Sequence, residues 1–280
     1  MTVHIITDGS ADLPESIRDG WGIRVVPLGV RFGEAEFDST MASSEFYARM
    51  RESESLPQTS SPAPHAFMEA YRDVPPGESI LVVALSSQVS STYRHAVLAK
   101  EMFEEERPGA ADIEVIDSKT ASAGLGGIVY KAAKMAKDGV GARDIASAVK
   151  RLAAETRTHF VLDTLENVIK GGRLDRVRGA VASMLNIKLL MHASEHGAIE
   201  VLEKARGTSN AVKKLIDRIE DAKHEVSGKL LAVAHSNCEE RAKALVRDIL
   251  ARYDFGEVVV SDMGPVIGTY AGEGGLLISY

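Results

Sequence analysis

Short hydroxyl side chains concentrate at a few points of the sequence, and they are its first candidates for chemistry. An apolar run ends in ALSSQVSSTY (84–93), where Ser90 and Ser91 stand among further hydroxyls and no charged residue is present. An earlier turn, TDGSADLP (7–14), begins with Asp8 at the end of another apolar run. Hydroxyls bind anions, sugars or backbone groups, and an activated hydroxyl can be a nucleophile.

A second hydroxyl cluster lies in PQTSSPAPHAF (57–67), where Thr59, Ser60 and Ser61 precede a proline that suits the first turn of a helix. Hydroxyls and free backbone N–H groups at a helix N-terminus suit a small anion. Hydroxyl donors favour a monoanion such as a carboxylate over a doubly charged phosphate. Single hydroxyls of this kind often serve as caps or turns of their own helices. Neither a cap nor a turn needs three in a row, so the clusters favour a ligand.

The elements that position these clusters alternate between strands and helices. In ALSSQVSSTY, Ser90 occupies the predicted N-cap of the helix that follows. Such alternation predicts parallel βαβ units, and ligands of parallel sheets bind beyond the carboxyl ends of the strands. The patterns predict strands at 3–7, 24–32, 79–85 and 113–117, and helices at 44–53, 64–73, 91–106, 124–139 and 142–157.

The pattern changes after about residue 158. Short helices are followed by a hairpin, KLLMHAS and AIEVLEKAR, joined by EHG. Predicted elements then follow in the order helix (SNAVKKLIDRIEDAKHE), strand, helix, strand, strand. We therefore predict an α/β protein of two domains. Residues 1–158 form a parallel-sheet, three-layer α/β/α domain, and residues 159–280 form an α/β domain with a mixed sheet.

Composition excludes several classes of protein. The formal charge of −7 argues against nucleic acid and against unaided docking on an anionic membrane. No apolar stretch approaches the roughly 20 residues of a spanning helix, so stable membrane insertion is not expected. Cys238 is the only cysteine and the N-terminus lacks the pattern of a signal peptide. A reducing, cytoplasmic location is therefore expected.

Seven motifs in order resemble the DegV family of bacterial fatty-acid-binding proteins, and the resemblance extends over essentially the whole chain. The matching stretches are ITDGSADLP, QTSSPAP, LSSQVSSTY, VIDSKTASAGLG, IKGGR, LNIK with its hairpin, and GTYAGEGGL. Ser91 stands where the family usually has glycine. One such motif would be a weak signal, whereas seven in the family's order are specific.

The resemblance implies a carrier rather than an enzyme. Such proteins bury the tail of one long-chain fatty acid between two domains and present its carboxyl group to a separate fatty acid kinase. The carboxyl ligands would be Thr59 and Ser90, with Ser60 and Ser91 next to them and Asp8 in the turn TDGSADLP as further ligand candidates. Arg173 and Lys170 of the KGGR motif would face the kinase. No catalytic residue, metal or cofactor is implied, apart from the fatty acid as ligand.

Position 270 departs from the family pattern. Near the C-terminus the family usually has a histidine close to the carboxyl group, and here Tyr270 takes that place, with Glu273 nearby. A phenol can donate a hydrogen bond to a carboxylate but cannot become a cation. We therefore expect Tyr270 to bind the ligand without acid–base chemistry. Packing at the domain junction remains the alternative.

Other patterns have competing interpretations. The basic residues Lys170, Arg173, Arg176 and Arg178 form either a solvated turn or a docking patch. GLGG (124–127) indicates close helix–sheet packing more than nucleotide binding.

The rival function is a serine hydrolase that acts on a small ester or lipid. Its triad would combine Asp8, Ser86 or Ser90 and a histidine, although no GxSxG motif surrounds either serine. His192 and His196 have HxxxH spacing, but four residues of a strand span about 13 Å, too far for one zinc ion.

Overall fold

A computed structural model describes residues 2–174, 186–223 and 225–280. Its first sheet is fully parallel, as the alternation of strands and helices predicts. The four strands in spatial order are β2 (Arg24–Val26), β1 (Val3–Asp8), β6 (Ser79–Ala84) and β7 (Asp112–Asp117). The polar turns after β1, β6 and β7 therefore lie at one edge of this sheet.

Helices cover both faces of the parallel sheet. Leu81 and Val83 of β6 pack with α5 (Ala123–Lys137) and α6 (Ala142–Glu155), whereas Ile80 and Val82 pack with α3 (Pro64–Arg72) and α4 (Thr92–Glu106). Because successive side chains of a strand point to opposite faces, a central strand buried on both sides must be apolar throughout. The predicted three layers are thus present.

The second sheet is mixed, and its hairpin is confirmed. In spatial order its strands are β10 (Ile199–Arg206), β9 (Ile187–Ala193), β8 (Thr158–Val161), β13 (Leu276–Ser279), β11 (Leu230–His235) and β12 (Glu257–Asp262). Only β11 and β12 pair in parallel among these described strands. Because β8 begins at Thr158 and belongs to this sheet, the change of pattern near residue 158 coincides with a change of sheet. The division into domains 1–158 and 159–280 stays a prediction.

The prediction of one strand over 24–32 is wrong. The chain leaves the parallel sheet after β2, and Pro27, which lacks an N–H group, precedes a separate strand. That strand belongs to a small antiparallel sheet, which comprises β4 (Ala35–Asp38), β3 (Gly29–Phe32) and β5 (Gln58–Ser60). Thr59 therefore lies on a strand and not in a loop.

Helices α2 (Ser43–Glu52) and α9 (Glu239–Leu250) lie within a few residues of their predicted positions, whereas α10 (Pro265–Ala271) was not predicted. The predicted helix 209–225 divides into α8 (Thr208–Asp217) and a 3₁₀ helix, Arg218–Ala222, and His224 lies outside the described residues. Within the described ranges, no helix is both long and apolar enough to span a bilayer. The other described helices are α1 (Glu15–Gly20) and α7 (Glu166–Lys170).

Two hydrogen bonds join the N-terminal half to the turn before α10. Gly264 N donates to Asp12 Oδ1 at 2.8 Å, and Tyr47 Oη donates to Met263 O at 3.0 Å.

Helix α5 lies close to the turn after β1 because the glycines of α5 lack side chains. A Cβ at Gly126 would lie 2.5 Å from Ala11 O. The close packing indicated by GLGG is therefore present.

Candidate functional site: a cavity with hydroxyls at its mouth

A cavity of about 330 Å³ lies between the parallel sheet and the mixed sheet. Its wall is mostly apolar and draws on both halves of the chain. Among the described residues that line it, Arg173 carries the one charged side chain. The apolar lining comprises Leu28, Leu85, Val89, Ala121, Phe160, Leu162, Val168, Ala193, Ile199, Met263, Val266, Ile267, Ala271 and Leu277. An apolar volume of this size with few polar groups is typical of a small-molecule site.

Five hydroxyl side chains gather at one part of the wall, and we call them the mouth cluster: Thr59, Ser61, Ser90, Ser91 and Tyr270. Thr59 Oγ1 and Tyr270 Oη lie 2.5 Å apart. Ser61 Oγ lies 2.9 Å from both Ser90 Oγ and Ser91 Oγ. These side chains come from β5, from the loops before α3 and α4, and from α10. Two sequence motifs that are 30 residues apart therefore form a single cluster of neutral hydrogen-bonding groups.

The alternation of β5 decides which hydroxyl of QTSSPAP faces the cavity. Thr59 and Ser61 line the cavity, whereas Ser60 is exposed and absent from its lining. The Ser60 hydroxyl lies instead against Gly29, where an added Cβ would be 2.4 Å from its Oγ. Since successive residues of a strand point to opposite sides, Ser60 cannot join its two neighbours. The structure therefore favours Ser61 over Ser60 as a ligand.

The helix after ALSSQVSSTY begins one residue later than predicted. Helix α4 starts at Thr92, so Ser91 and not Ser90 occupies the N-cap position. Ser91 makes no capping hydrogen bond, and its hydroxyl donates to Ser61 Oγ. Ser90 Oγ accepts a hydrogen bond from Thr92 N at 3.2 Å. The Ser91 hydroxyl therefore forms its hydrogen bond within the mouth cluster and does not cap α4.

Arg173 is held beside the mouth cluster by stacking. Its Cζ atom lies 4.6 Å from the ring centroid of Tyr270. Its Nη1 donates to Gly171 O at 2.5 Å and its Nε donates to Val89 O at 3.4 Å. No carboxylate of a described residue pairs with this guanidinium. Neutral groups therefore orient this cation beside the mouth cluster.

Because Gly171 of the KGGR motif has no side chain, the Tyr270 ring can pack against its backbone. A Cβ at this position would lie 2.4 Å from Tyr270 Cε1, and the backbone angle φ of −71° is ordinary for any residue. The requirement for glycine here is therefore steric. The second glycine, Gly172, has a φ of 75°, which favours glycine for conformational reasons.

Asp8 does not line the cavity. Its buried carboxylate accepts hydrogen bonds from Ser10 N at 3.0 Å, Ser10 Oγ at 2.5 Å and Leu85 N at 2.7 Å. Burial raises the pKa of the Asp8 carboxyl, and these hydrogen bonds partly oppose that effect. Asp8 thus ties the end of β1 to the residue after β6, and the structure gives no support to direct contact with a ligand.

The basic residues of the KGGR region divide into different environments. Lys170 is exposed and pairs with Glu166 at 2.5 Å, whereas Arg173 lines the cavity. Arg176 and Arg178, and Leu185 of the LNIK motif, lie outside the described residues. A partner-facing role of Lys170 stays a prediction, and exposed pairs of this kind contribute little to stability.

The contacts of the two candidate serines do not form a hydrolase triad. Ser86 Oγ donates to Gly197 O at 2.8 Å, and Ser90 Oγ contacts Ser61 and Thr92. Within the described ranges, no histidine contacts either hydroxyl in the way that an activated nucleophile requires. In the same part of the chain, no three His, Cys, Asp or Glu side chains are grouped to hold a metal ion.

The sequence analysis missed polar groups farther along the wall. Ser86, Thr120, Ser122 and Thr158 also line the cavity, and all four are buried. Ser122 Oγ donates to Asp12 Oδ2 at 2.6 Å. VIDSKTASAGLG was identified as a motif, but its hydroxyls could not be placed, because the partner of Thr120 is Thr158, which is 38 residues away.

An apolar cavity lined by hydroxyls and one described cation is typical of a site for an apolar molecule with a small polar head group. A sequence profile of the DegV family, described as uncharacterised proteins, matches residues 2–280. A DegV domain-containing protein of Clostridium perfringens is 32% identical over 99% of this chain and 96% of its own. The chain belongs to the DegV family.

Solved structures of the same family contain fatty acids. A DegV family protein of Ruminococcus gnavus refined with vaccenic acid is 32% identical, has a TM-score of 0.92 and is matched over 100% of both chains. The fatty acid kinase B3 protein of Streptococcus pneumoniae, loaded with linoleic acid, is 26% identical with a TM-score of 0.86. That match covers 100% of this chain and 99% of the other.

Proposed function

We propose that this protein binds one long-chain fatty acid and presents it to a separate fatty acid kinase for acyl phosphate formation. The observation that carries this proposal is the combination of an apolar cavity with a charge-poor hydroxyl cluster at its mouth. Homologous structures that contain vaccenic and linoleic acid support the ligand class. We also propose a cytoplasmic location, where the absence of disulfides is usual.

The mouth cluster would receive the carboxyl group. Thr59 and Ser90 are the proposed primary ligands; Tyr270 contacts Thr59, Ser61 contacts Ser90, and Ser91 donates to Ser61. Hydroxyls satisfy a carboxylate without burying an opposite charge, so the head group is oriented without strong ion pairing. A ligand held in this way can be released to a partner.

The apolar wall would supply most of the affinity. Burying one methylene contributes about 0.8 kcal/mol, so a tail of ~14 methylenes gains on the order of 10 kcal/mol before ordering costs. Phe160 and Leu277 of the mixed sheet, with Leu162 directly after β8, supply one side of this wall, and Val266 and Ile267 of α10 supply another. The head group therefore needs to contribute only orientation.

Presentation to a kinase is proposed from the position of Arg173. The guanidinium lies at the mouth, stacked on Tyr270, and no described carboxylate neutralises it. A cation at this position can attract an acidic partner surface or stabilise the charge that develops on an acyl phosphate. The kinase B3 homologue of Streptococcus pneumoniae supports this kind of partner.

Titration of lipid-free protein with a long-chain fatty acid tests the proposed site. Ala193 lies on β9 and lines the cavity, and a larger side chain there would occupy the space of the tail. If Ala193→Phe displaces about three methylenes, the loss is about 2.4 kcal/mol, or roughly fiftyfold in affinity. The matched control Ala251→Phe places the same ring at an exposed position. Calorimetry should show saturable binding to wild type and to the control, with weak binding to Ala193→Phe.

Two outcomes of this titration contradict the proposal. If wild-type protein shows no saturable binding, the proposal that its ligand is a long-chain fatty acid is wrong. Equal affinities of Ala193→Phe and Ala251→Phe would place the tail outside this cavity. Thermal unfolding of both variants provides the check that each is folded.

A further inference from the structure

Two buried hydroxyls of the cavity wall and one behind them form a second polar group, which we call the inner hydroxyl row: Thr120, Thr158 and Ser279. Thr120 Oγ1 lies 2.8 Å from Thr158 Oγ1, and Thr158 Oγ1 lies 3.0 Å from Ser279 Oγ. The three residues are 4%, 3% and 3% exposed. They join the turn after β7 to paired residues of β8 and β13.

The row contains one more hydrogen than its contacts can use. Three O–H groups supply three hydrogens, and the two hydroxyl–hydroxyl contacts consume two of them. No other acceptor for these hydroxyls is found among the described residues. The nearby lining hydroxyls donate elsewhere, Ser86 to Gly197 O and Ser122 to Asp12 Oδ2. Burying a donor without an acceptor costs free energy, so one additional acceptor atom beside the row would be stabilising.

The row reaches the cavity through Thr120 and Thr158, which both line it. Ser279 lies behind them and lines, with Gly124, a separate pocket of only about 20 Å³. Helix α5 closes another side. An added Cβ at Gly124 would lie 2.4 Å from Thr120 Oγ1 and 2.6 Å from Thr158 Oγ1. An acceptor can therefore approach the row from within the cavity.

We propose that the inner hydroxyl row binds a neutral oxygen atom on the acyl chain, so that the cavity accepts oxygenated long-chain acids with a keto, hydroxyl or epoxide group. This inference rests on the proposed function, because it requires an acyl chain in the cavity. The oxygen accepts the surplus hydrogen of the row. A second carboxylate does not suit this position, because the one cation of the described lining, Arg173, is at the mouth.

Keto acids are the sharpest probe, because a ketone accepts hydrogen bonds and donates none. We would measure the affinity of lipid-free protein for octadecanoic acid and for a series of keto-octadecanoic acids with the ketone at successive positions. In wild type, most positions should bind more weakly than the parent acid, since a polar group enters an apolar wall. One position, or two adjacent ones, should retain or exceed the parent's affinity.

Variants assign that preference to the row. The double variant Thr120→Val/Thr158→Val replaces both lining hydroxyls by side chains of similar shape, and it should weaken binding of the favoured keto acid by about three- to tenfold. The preference for that keto acid over octadecanoic acid should be lost. The matched control Ser279→Ala keeps both lining hydroxyls and still leaves one surplus hydrogen, so the preference should persist. Thr120→Val alone serves as a second test if the double variant does not fold.

The outcomes separate this inference from the proposed function. A wild type that binds octadecanoic acid but shows no favoured ketone position overturns the inference alone. A favoured position that survives in the double variant, or in Thr120→Val if that is the variant tested, also overturns it. A wild type that binds neither octadecanoic acid nor any keto acid overturns the proposed function and the inference with it.

Discussion

The mouth cluster and the inner hydroxyl row consist of the same kind of side chain but lie in different electrostatic surroundings. The mouth cluster is partly exposed and lies beside Arg173, whereas the inner row is buried and no charged side chain lines the cavity there. A carboxylate can be accommodated at the first because water can reach it and the hydroxyls can donate hydrogen bonds to it. The second can accept only a neutral atom. Hydroxyl groups alone therefore do not determine which ligand binds. The charge and the burial of their surroundings determine it.

Among the substitutions near the mouth cluster, removal of the Arg173 side chain should have the largest effect. Arg173→Ala should leave fatty acid affinity within about threefold of wild type, because hydroxyls and not Arg173 hold the head group in our proposal. Phosphorylation of the bound acid by a cognate fatty acid kinase should fall at least about tenfold, as expected for the loss of a charge-assisted contact. Calorimetry and a kinase assay measure the two effects separately.

Arg94→Ala, at an exposed position of α4, is the matched control and should leave both quantities unchanged. Parallel loss of affinity and phosphorylation in Arg173→Ala would make Arg173 a direct carboxylate ligand. The proposal that hydroxyls bind the carboxyl group while Arg173 faces the kinase would then be wrong.

Removal of mouth hydroxyls should have a moderate effect. Thr59→Ala and Ser90→Ala should each weaken fatty acid binding by about 0.5–1.5 kcal/mol, the usual contribution of a neutral hydrogen bond. Ser227→Ala is the control, since that hydroxyl bonds Asp254 on the protein surface. Fluorescence competition would measure all three affinities. If Ser227→Ala lowers affinity while Thr59→Ala does not, the head-group site has been misplaced.

Substitution at position 270 should have a smaller effect on affinity but change its pH dependence. Tyr270→Phe removes the hydroxyl 2.5 Å from Thr59 Oγ1 and should weaken binding by about two- to threefold. Tyr270→His should introduce a step near pH ~6.5 in affinity or kinase transfer, because an imidazolium can form beside the head group. Measurements from about pH 5.5 to 8.5 would show the step. Superimposable profiles of wild type and both variants would exclude contact between residue 270 and the head group.

The smallest effect concerns Asp12, whose carboxylate accepts hydrogen bonds from Ser122 and Gly264. Burial raises the pKa of the Asp12 carboxyl from 3.8 to about 7, and the charges of Asp262 and Asp8 contribute. Between these values the folded protein binds more protons than the unfolded chain, so the stability contribution of Asp12 falls as pH rises from 3.8 to about 7. Asp12→Asn should flatten this decline in thermal unfolding experiments. Asp8 has a raised pKa as well, so part of the decline should remain.

Asp19→Asn, at an exposed position near the end of α1, is the matched control for Asp12→Asn. Its unfolding temperatures should follow the wild-type pH dependence. An unchanged slope in Asp12→Asn would show that Asp12 is ionised throughout this range. The neutral character that we assign to the inner part of the cavity would then need revision.

Local patterns predicted the fold well because its largest sheet elements are regular. The apolar run of β6 and the hairpin of β9 and β10 have periodicities that need no tertiary information. The small sheet was missed because β5 has three residues, which is too short for a periodic signal. Pro27 marked the break between β2 and β3, but a single strand fitted the surrounding apolar residues equally well.

The candidate site was predicted only where neighbouring residues define it. Thr59, Ser90 and Tyr270 came from motifs, and the structure brings all three into one cavity. The choice between Ser60 and Ser61 depends on the strand register of β5, which the sequence did not reveal. The inner hydroxyl row depends on Thr158 and Ser279, which are 121 residues apart and meet only through pairing of β8 and β13.

The central claim is that the cavity holds a long-chain fatty acid, and analysis of the lipid released from purified protein tests it most directly. Protein isolated from lipid-containing cells would be denatured and extracted, and its fatty acids would be identified and quantified by mass spectrometry. We predict about one long-chain fatty acid per chain, and much less from Ala193→Phe than from Ala251→Phe. Protein that releases no acyl chain, and takes none up when a fatty acid is added, would contradict the account.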